Sequence, residues 1–78
     1  MKFETLDAVV LRRNLPKYRL RKGDMGAVVQ VYGADGVEVE FVTASGLTAA
    51  LFTLETTDVR LVTDTDLVAV RPFKNRSA

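Results

Sequence analysis

The stretch AVVQVYGADGVEVEFV, residues 27–42, decides the fold. In its second half, VEVEFV, apolar side chains alternate with glutamates, so the apolar residues share one face of a strand and the acidic residues share the other. The four residues between the two halves, GADG at 33–36, favour a tight turn because glycine and aspartate tolerate positive φ. We therefore predict a β-hairpin with strands at 27–32 and 37–42, in an antiparallel sheet with one wet face.

Short β-branched runs separated by turn residues continue on both sides of this hairpin, and helical periodicity is nearly absent. TASG at 43–46 predicts a second tight turn, and TTD at 56–58 predicts a single helical turn. The other predicted strands are DAVVLRR at 7–13, LTAALFTLE at 47–55 and VRLV at 59–62. Five short strands with a long first connection are typical of an all-β fold, and we predict a small five-stranded SH3-like barrel.

A chain of 78 residues is long enough for one domain only. We place the barrel at residues 1–63, a C-terminal extension at 64–72 and a disordered tail at 73–78. In the extension, the run LVAV favours an extra strand because valine is β-branched, whereas Thr63 could instead cap a helix. We prefer the strand and leave the helix open.

The residue inventory excludes several classes of chemistry. The chain has no cysteine and no histidine, which removes disulfides, thiol catalysis, histidine acid–base catalysis and Cys/His metal sites. We expect Glu38 and Glu40 to face water or to pair across the sheet with a basic residue such as Arg12. We predict that the protein is not an enzyme and has no catalytic residue, no metal and no cofactor.

The N-terminus lacks the features of a secretory signal, because MKFETLDAVV contains Glu4 and no small-residue cleavage site. No apolar run approaches the roughly 20 residues that span a bilayer. From these two observations we predict a soluble cytoplasmic protein with no membrane partner.

Net charge is only +1, but the charges are segregated along the chain. Residues 12–22, RRNLPKYRLRK, carry six positive charges and no negative one, whereas residues 24–66 carry eight acids and a single arginine. Such segregation gives a molecule one basic face, which can steer an acidic partner toward it. We interpret residues 12–22, hereafter the basic loop, as the long connection between the first two strands.

The basic loop is the predicted contact surface for an unidentified protein partner. A nucleic-acid accessory role in translation or transcription is the alternative. It is less favoured because the acidic remainder of the chain would repel a polyanion and because single-strand binders carry several stacking rings. A solvated basic face with no partner is the third possibility. The candidate partner-binding residues are Arg12, Arg13, Lys17, Tyr18, Arg19, Arg21, Lys22 and Tyr32.

The segment RKGDMG at 21–26 has two interpretations. Gly-x-x-Gly beside basic residues could cradle a phosphate, but a phosphate loop ends in Gly-Lys-Ser/Thr and precedes a helix, whereas a strand follows here. Asp24 would also put a carboxylate where the phosphate belongs. We prefer a structural turn in which Gly23 and Gly26 supply unusual φ values and Asp24 hydrogen-bonds to the turn backbone.

The predicted strand at 47–55 is apolar on both faces, unlike an antiparallel strand with one face in water. Either the C-terminal segment helps to cover it, or an exposed apolar patch is available to a partner. A homodimer would bury such a patch, and we keep it as a possible assembly.

Three motifs together resemble a known family: Leu-Pro at 15–16, Lys-Gly-Asp-x-Gly at 22–26 and Val-Glu-Val-Glu-Phe at 37–41. They resemble a family of small, uncharacterised bacterial proteins catalogued as a domain of unknown function. The resemblance implies a stand-alone SH3-like barrel and brings no catalytic residues. Some family members sit beside toxin-like genes, which implies an antitoxin- or immunity-like partner role. The glycine turn is also similar to that of ribosome- and polymerase-associated modules and to that of the nitrile hydratase β subunit and its small activators, a likeness that marks a shared turn. A small enzyme-activator subunit is a further alternative.

Overall fold

The computed structural model describes residues 2–73 and shows an all-β domain with one antiparallel sheet. The strands are β1 (Ala8–Leu11), β2 (Met25–Tyr32), β3 (Gly36–Val42), β4 (Thr48–Glu55) and β5 (Val59–Leu61). They follow one another across the sheet in the order β4-β3-β2-β1-β5. The predicted five-stranded all-β fold is confirmed, and its architecture is consistent with a small barrel-like domain.

The hairpin of β2 and β3 has the form that the alternation predicts. Val31 pairs with Val37 beside the turn, and Gly33 in the turn adopts a φ of 62°. Val37, Val39 and Phe41 of β3 are buried, and the glutamates between them are half-buried on the opposite face. The sheet therefore has one face on the core and one partly in water.

The core extends beyond the sheet. Every strand contributes to it, and so do the N-terminal segment and the basic loop. Its buried residues are Phe3, Val9, Leu11, Leu15, Leu20, Val28, Val37, Val39, Phe41, Leu54 and Val59. Each large apolar side chain removed from water contributes about 1.5–3 kcal/mol, so the two loop leucines hold the loop against the domain.

Both helical elements are single 3-10 turns. One, Pro16–Tyr18, lies inside the basic loop, and the other, Thr56–Asp58, joins β4 to β5 and confirms the predicted helical turn. In the second, the carboxylate of Asp58 accepts a hydrogen bond from the backbone N–H of Glu55 at 3.2 Å and so caps the turn. Across residues 2–73, no helix is long and apolar enough to cross a membrane.

The C-terminal extension differs from its prediction. The extra strand expected at 64–72 does not form, because the run LVAV lies along no strand that could complete its hydrogen bonds. Its side chains also bury little surface, since Leu67 and Val70 are 94% and 93% exposed. The β-branched composition of this run is therefore not sufficient to form a strand.

Side-chain contacts hold the extension instead. Arg71 binds Asp24 beside the basic loop, and Phe73 packs against the core. Phe73 was expected to begin a disordered tail at 73–78, and this is wrong for Phe73 itself. The rest of that prediction, 74–78, lies outside the described residues.

Candidate interaction surface

The basic loop is fixed to the domain at two leucines. The backbone N–H of Leu15 donates to the carbonyl of Leu20 at 2.9 Å, and the return bond is 3.2 Å long. The two side chains are only 6% and 3% exposed. Between them the 3-10 turn ends at Arg19, whose φ of 60° is left-handed and reverses the chain. The loop therefore folds back on itself with its basic side chains pointing outward.

Within residues 2–73, most of the loop cations form no ion pair with a carboxylate. The three ion pairs found within residues 2–73 use Arg13, Arg60 and Arg71. The loop cations outside these pairs, all exposed, are Arg12, Lys17, Arg19, Arg21 and Lys22. Such a cation can approach a negative charge on another molecule without first breaking an internal ion pair.

Arg13 is already engaged within the domain. Its Nε donates to Oδ1 of Asp58 at 2.7 Å, and the adjacent backbone N–H of Arg12 donates to the Asp58 carbonyl at 2.8 Å. The hydrogen bond and charge of Asp58 raise the pKa of Arg13 above its usual value, so the guanidinium stays charged. Arg13 therefore holds the start of the loop to the 3-10 turn before β5.

The first part of the glycine turn has the predicted structure. Gly23 adopts a φ of 97°, and the Asp24 carboxylate accepts the backbone N–H of Arg21 at 2.7 Å. The backbone N–H of Arg21 is thus used internally, and a carboxylate occupies the place where a phosphate would sit. This arrangement favours the structural interpretation of the turn.

Gly26 is glycine for a different reason from the one predicted. It lies inside β2, its φ is not positive, and it faces β3. A Cβ atom there would lie 2.7 Å from Cγ1 of Val39 and 2.9 Å from the carbonyl oxygen of Glu40. The residue therefore permits close approach of two strands and supplies no unusual φ.

Asp24 also binds an arginine 47 positions further along the chain. Nε of Arg71 donates to Oδ1 of Asp24 at 2.8 Å, and Nη2 of Arg71 donates both to Oδ2 and, at 3.0 Å, to the carbonyl of Arg19. Burial alone would raise the pKa of Asp24, but the hydrogen bonds from Arg71 and from the Arg21 backbone lower it below its usual value. The C-terminal segment is thereby tied to the basic loop.

The two candidate tyrosines lie on different faces. The ring of Tyr18 stacks on Phe52 of β4 with centroids 4.0 Å apart and planes at 14°, and Phe52 continues to Phe41 in the core. The hydroxyl of Tyr32 donates to Oε1 of Glu38 at 2.8 Å on the outer face of the hairpin. The structure therefore joins Tyr18 to the loop surface and separates Tyr32 from it.

The two glutamates of β3 are on the outer face, as predicted, but neither pairs with Arg12. Glu38 accepts the Tyr32 hydroxyl, a bond that raises the pKa of Tyr32 above its usual 10.0. Glu40 accepts the hydroxyl of Thr48 at 2.6 Å. The pairing with Arg12 fails because Arg12 follows β1, whose neighbours in the sheet are β2 and β5.

A cleft of about 310 Å³ runs between the basic loop and β4. Residues 17–19 form one side, residues 49–52 form the other, and Phe73 adds a third aromatic ring to those of Tyr18 and Phe52. Lys17 and Arg19 supply positive charge, while the alanines and phenylalanines supply an apolar floor. This combination suits an apolar side chain that has negative charge beside it.

Phe52, Arg71 and Phe73 were not among the predicted residues of this surface. The signal available for Phe52 was the strand at 47–55 that is apolar on both faces. We predicted that this strand is either covered by the C-terminal segment or exposed as an apolar patch, and each is partly true. Phe73 packs near the strand, while Leu47 and Leu51 stay 69% and 50% exposed. No local pattern marked Arg71, whose partners are distant in sequence.

A family model described as "Domain of unknown function (DUF4926)" matches residues 5–61. The match starts just before β1 and stops at the last residue of β5, so it covers the whole sheet and leaves out the C-terminal segment. Comparisons with curated proteins and with solved structures find no match.

Proposed function

Because the chain belongs to the DUF4926 family, a domain of unknown function, we propose a role from its own surface. The protein is a non-enzymatic interaction module that binds an acidic surface of a protein partner through its basic loop. The observation that carries this proposal is the set of exposed loop cations that form no ion pair within residues 2–73, held on a loop that two buried leucines anchor. A fixed array of unpaired charge favours specific and rapid association.

Several carboxylates of the domain have a structural role. Asp24, Asp58 and Asp66 each accept an arginine in an ion pair. Within the part of the chain that the structure describes, no three carboxylates converge as a metal site. With histidine and cysteine missing from the sequence, binding is a better account of the loop than acid–base chemistry.

A protein partner is favoured over RNA by the positions of the aromatic rings. Single-stranded nucleic acid is bound by rings on which successive bases stack along a basic groove. Here Tyr18 already stacks on Phe52, and Tyr32 is on the other side of the sheet. The loop thus offers charge beside an apolar cleft, and this combination suits an acidic protein segment better than a row of bases.

We also infer that the barrel-like domain is SH3-like. Three features support this: five antiparallel strands, a long connection after β1, and a 3-10 turn before β5. We propose further that it is a stand-alone bacterial protein that acts in the cytoplasm. An antitoxin- or immunity-like complex, or a complex with an enzyme that it activates, would each be an instance of the proposed partnership.

The test is retention of a partner by wild-type and charge-reversed protein. We expect tagged wild-type protein to retain a partner from its native organism at low salt, and the double variant Arg19→Glu, Arg21→Glu to lose it. Lys2→Glu, a reversal of an exposed cation outside the loop, is the control and should keep the partner. Equal retention by all three proteins would contradict the proposal, and so would retention of RNA that disappears in high salt.

A further inference from the structure

Within the described residues, β4 has no neighbouring strand on one side, and this free edge points to a strand-addition site. We propose that β4 pairs with an extended acidic segment of the protein partner, which places an apolar side chain in the cleft beside Lys17 and Arg19. This inference rests on the proposed function, and it adds to it the conformation of the bound segment and the strand that receives it.

The direction of the β4 backbone groups follows from the register. The N–H of Thr56 donates to the carbonyl of Asp35, next to the pair formed by Glu55 and Gly36. In an antiparallel ladder every second residue turns both backbone groups to its neighbour, so Phe52 and Leu54 bond to β3. Leu51 and Thr53 consequently direct their N–H and C=O groups to the free side.

A second observation agrees with this assignment. The N–H of Glu55, in the same set as Leu51 and Thr53, donates to the carboxylate of Asp58 and does not bond to β3. Between residues 48 and 54, β4 has neither a charged residue nor a proline, the features that usually blunt an exposed edge. The opposite edge of the sheet, β5, has three residues with Arg60 at its centre.

The cleft lies along this edge. It is lined by four consecutive residues of β4, 49–52, although successive side chains of a strand point to opposite faces. Because four consecutive residues of β4 line the cleft together with loop residues, we place the cleft along the free edge of this strand. An added strand would therefore lie along the free edge of β4 beside residues 17–19, with one side chain directed against the stacked rings of Tyr18 and Phe52.

Charge identifies the occupant as an acidic segment. Lys17 and Arg19 line the cleft, and within residues 2–73 neither forms an ion pair. A second copy of this chain is disfavoured because antiparallel pairing of two β4 strands would bring the Lys17 and Arg19 side chains of both copies to one small region. An extended segment with carboxylates flanking an apolar residue supplies the complementary charge and fills the apolar floor.

The probe for the test is a capped, fluorescent peptide of about eight residues, a length that matches β4, in which valine and glutamate alternate. Its binding to the full-length protein is followed by fluorescence anisotropy at low salt. Two further peptides have the same sequence with every second backbone amide N-methylated, and they differ in which alternate set of amides carries the methyl groups. Both keep the charge of the probe, and one of them cannot form the backbone hydrogen bonds to β4. We expect the methylated peptides to bind at least about tenfold more weakly in one register, because two or more backbone hydrogen bonds are lost.

A protein variant gives an independent readout. Thr53→Pro removes an N–H that faces the free edge and leaves the bonds to β3 in place, so it should also weaken the unmodified peptide about tenfold. If this variant does not fold, amide chemical shifts of the wild-type protein replace it. Shifts confined to β4 and residues 17–19 support the proposal, and shifts elsewhere overturn it.

The remaining outcomes separate this inference from the proposed function. If methylated and unmodified peptides bind equally well, and Lys17→Glu weakens both to the same extent, strand addition is overturned. The basic loop would still be the binding surface in that case. No binding of either peptide by a protein that retains its partner through the loop would overturn it too. A dimer in sedimentation that Thr53→Pro disperses would assign the edge to a second copy and reject the acidic segment.

Discussion

Gly26 is a position at which the fold leaves no room for a side chain. We predict that Gly26→Ala lowers the free energy of unfolding by about 1–3 kcal/mol, because its Cβ would overlap Val39 and the backbone of Glu40. Urea unfolding followed by circular dichroism measures the difference. Gly36→Ala is the matched control, since its Cβ would meet nothing closer than 3.6 Å and its φ is not positive. Equal losses in the two variants would contradict the steric explanation.

The ion pair of Asp24 and Arg71 predicts a pH dependence of stability. The pKa of Asp24 is lower in the folded protein than in the unfolded chain, so its contribution is complete above the unfolded value of about 4. That contribution is lost as the pH falls through the lower, folded pKa. Asp24→Asn should therefore lower the free energy of unfolding by about 1–2 kcal/mol at neutral pH, and the difference should shrink below about pH 4.

Unfolding of both proteins in urea across this pH range tests the prediction. The control is Asp64→Asn, at an exposed aspartate. It should change the free energy of unfolding by less than about 0.5 kcal/mol at each pH. A loss in Asp24→Asn that stays constant down to acid pH would show that the charge of Asp24 is not its cause.

These residues also show what sequence reasoning can and cannot predict at this scale. The φ of Gly23 and the backbone bond of Asp24 were predictable, because a turn is a local structure. The roles of Gly26 and Arg71 were not, because the first depends on a facing strand and the second on a partner 47 positions away. Pairwise contacts between distant segments leave no periodic signal in one sequence.

At the scale of elements, the strands were predicted best where alternation is strongest. The strand predicted at 37–42 is observed at Gly36–Val42, whereas the one predicted at 7–13 is observed only at Ala8–Leu11. It ends early because the two arginines after Leu11 turn away into the basic loop. The extra strand at 64–72 failed since composition alone supplies no hydrogen-bonding neighbour.

The anchoring of the basic loop leads to a third prediction. Leu20→Ala should lower the free energy of unfolding by about 2–5 kcal/mol, because the leucine is 3% exposed and its removal leaves a cavity. Leu47→Ala, at a residue that is 69% exposed, is the control and should change it by less than about 0.5 kcal/mol. Chemical denaturation compares the two. If the loop were not packed against the domain, the two substitutions would change the free energy of unfolding by the same amount.

The loop also shows the limit of pattern reasoning on an element without periodicity. Its charge was visible in the sequence, and so was the proline that begins its 3-10 turn. The pairing of Leu15 with Leu20 was not visible, because two leucines five positions apart fit no strand or helix template. This pairing fixes the loop, so its cations have a defined arrangement on the surface.

For the whole molecule, the arrangement of charge is the feature on which the proposed function rests. Arg13, Arg60 and Arg71 form ion pairs that hold the domain together. The cations of the basic loop other than Arg13 are exposed to solvent. The segregation of charge in the sequence predicted a basic face, but not which arginines would be engaged internally. That division is set by tertiary contacts, and it separates residues of the fold from residues of the proposed interface.

The affinity of the complex between this protein and the partner that its loop retains is the most direct test of the account. Calorimetric titration of purified components at about 50 mM and about 300 mM salt compares wild type, Arg19→Glu and Lys2→Glu. We predict that Arg19→Glu binds at least about tenfold more weakly than wild type at low salt, that Lys2→Glu does not, and that high salt weakens the wild-type complex. Identical affinities for the three proteins at both salt concentrations would contradict the assignment of the basic loop as the interface.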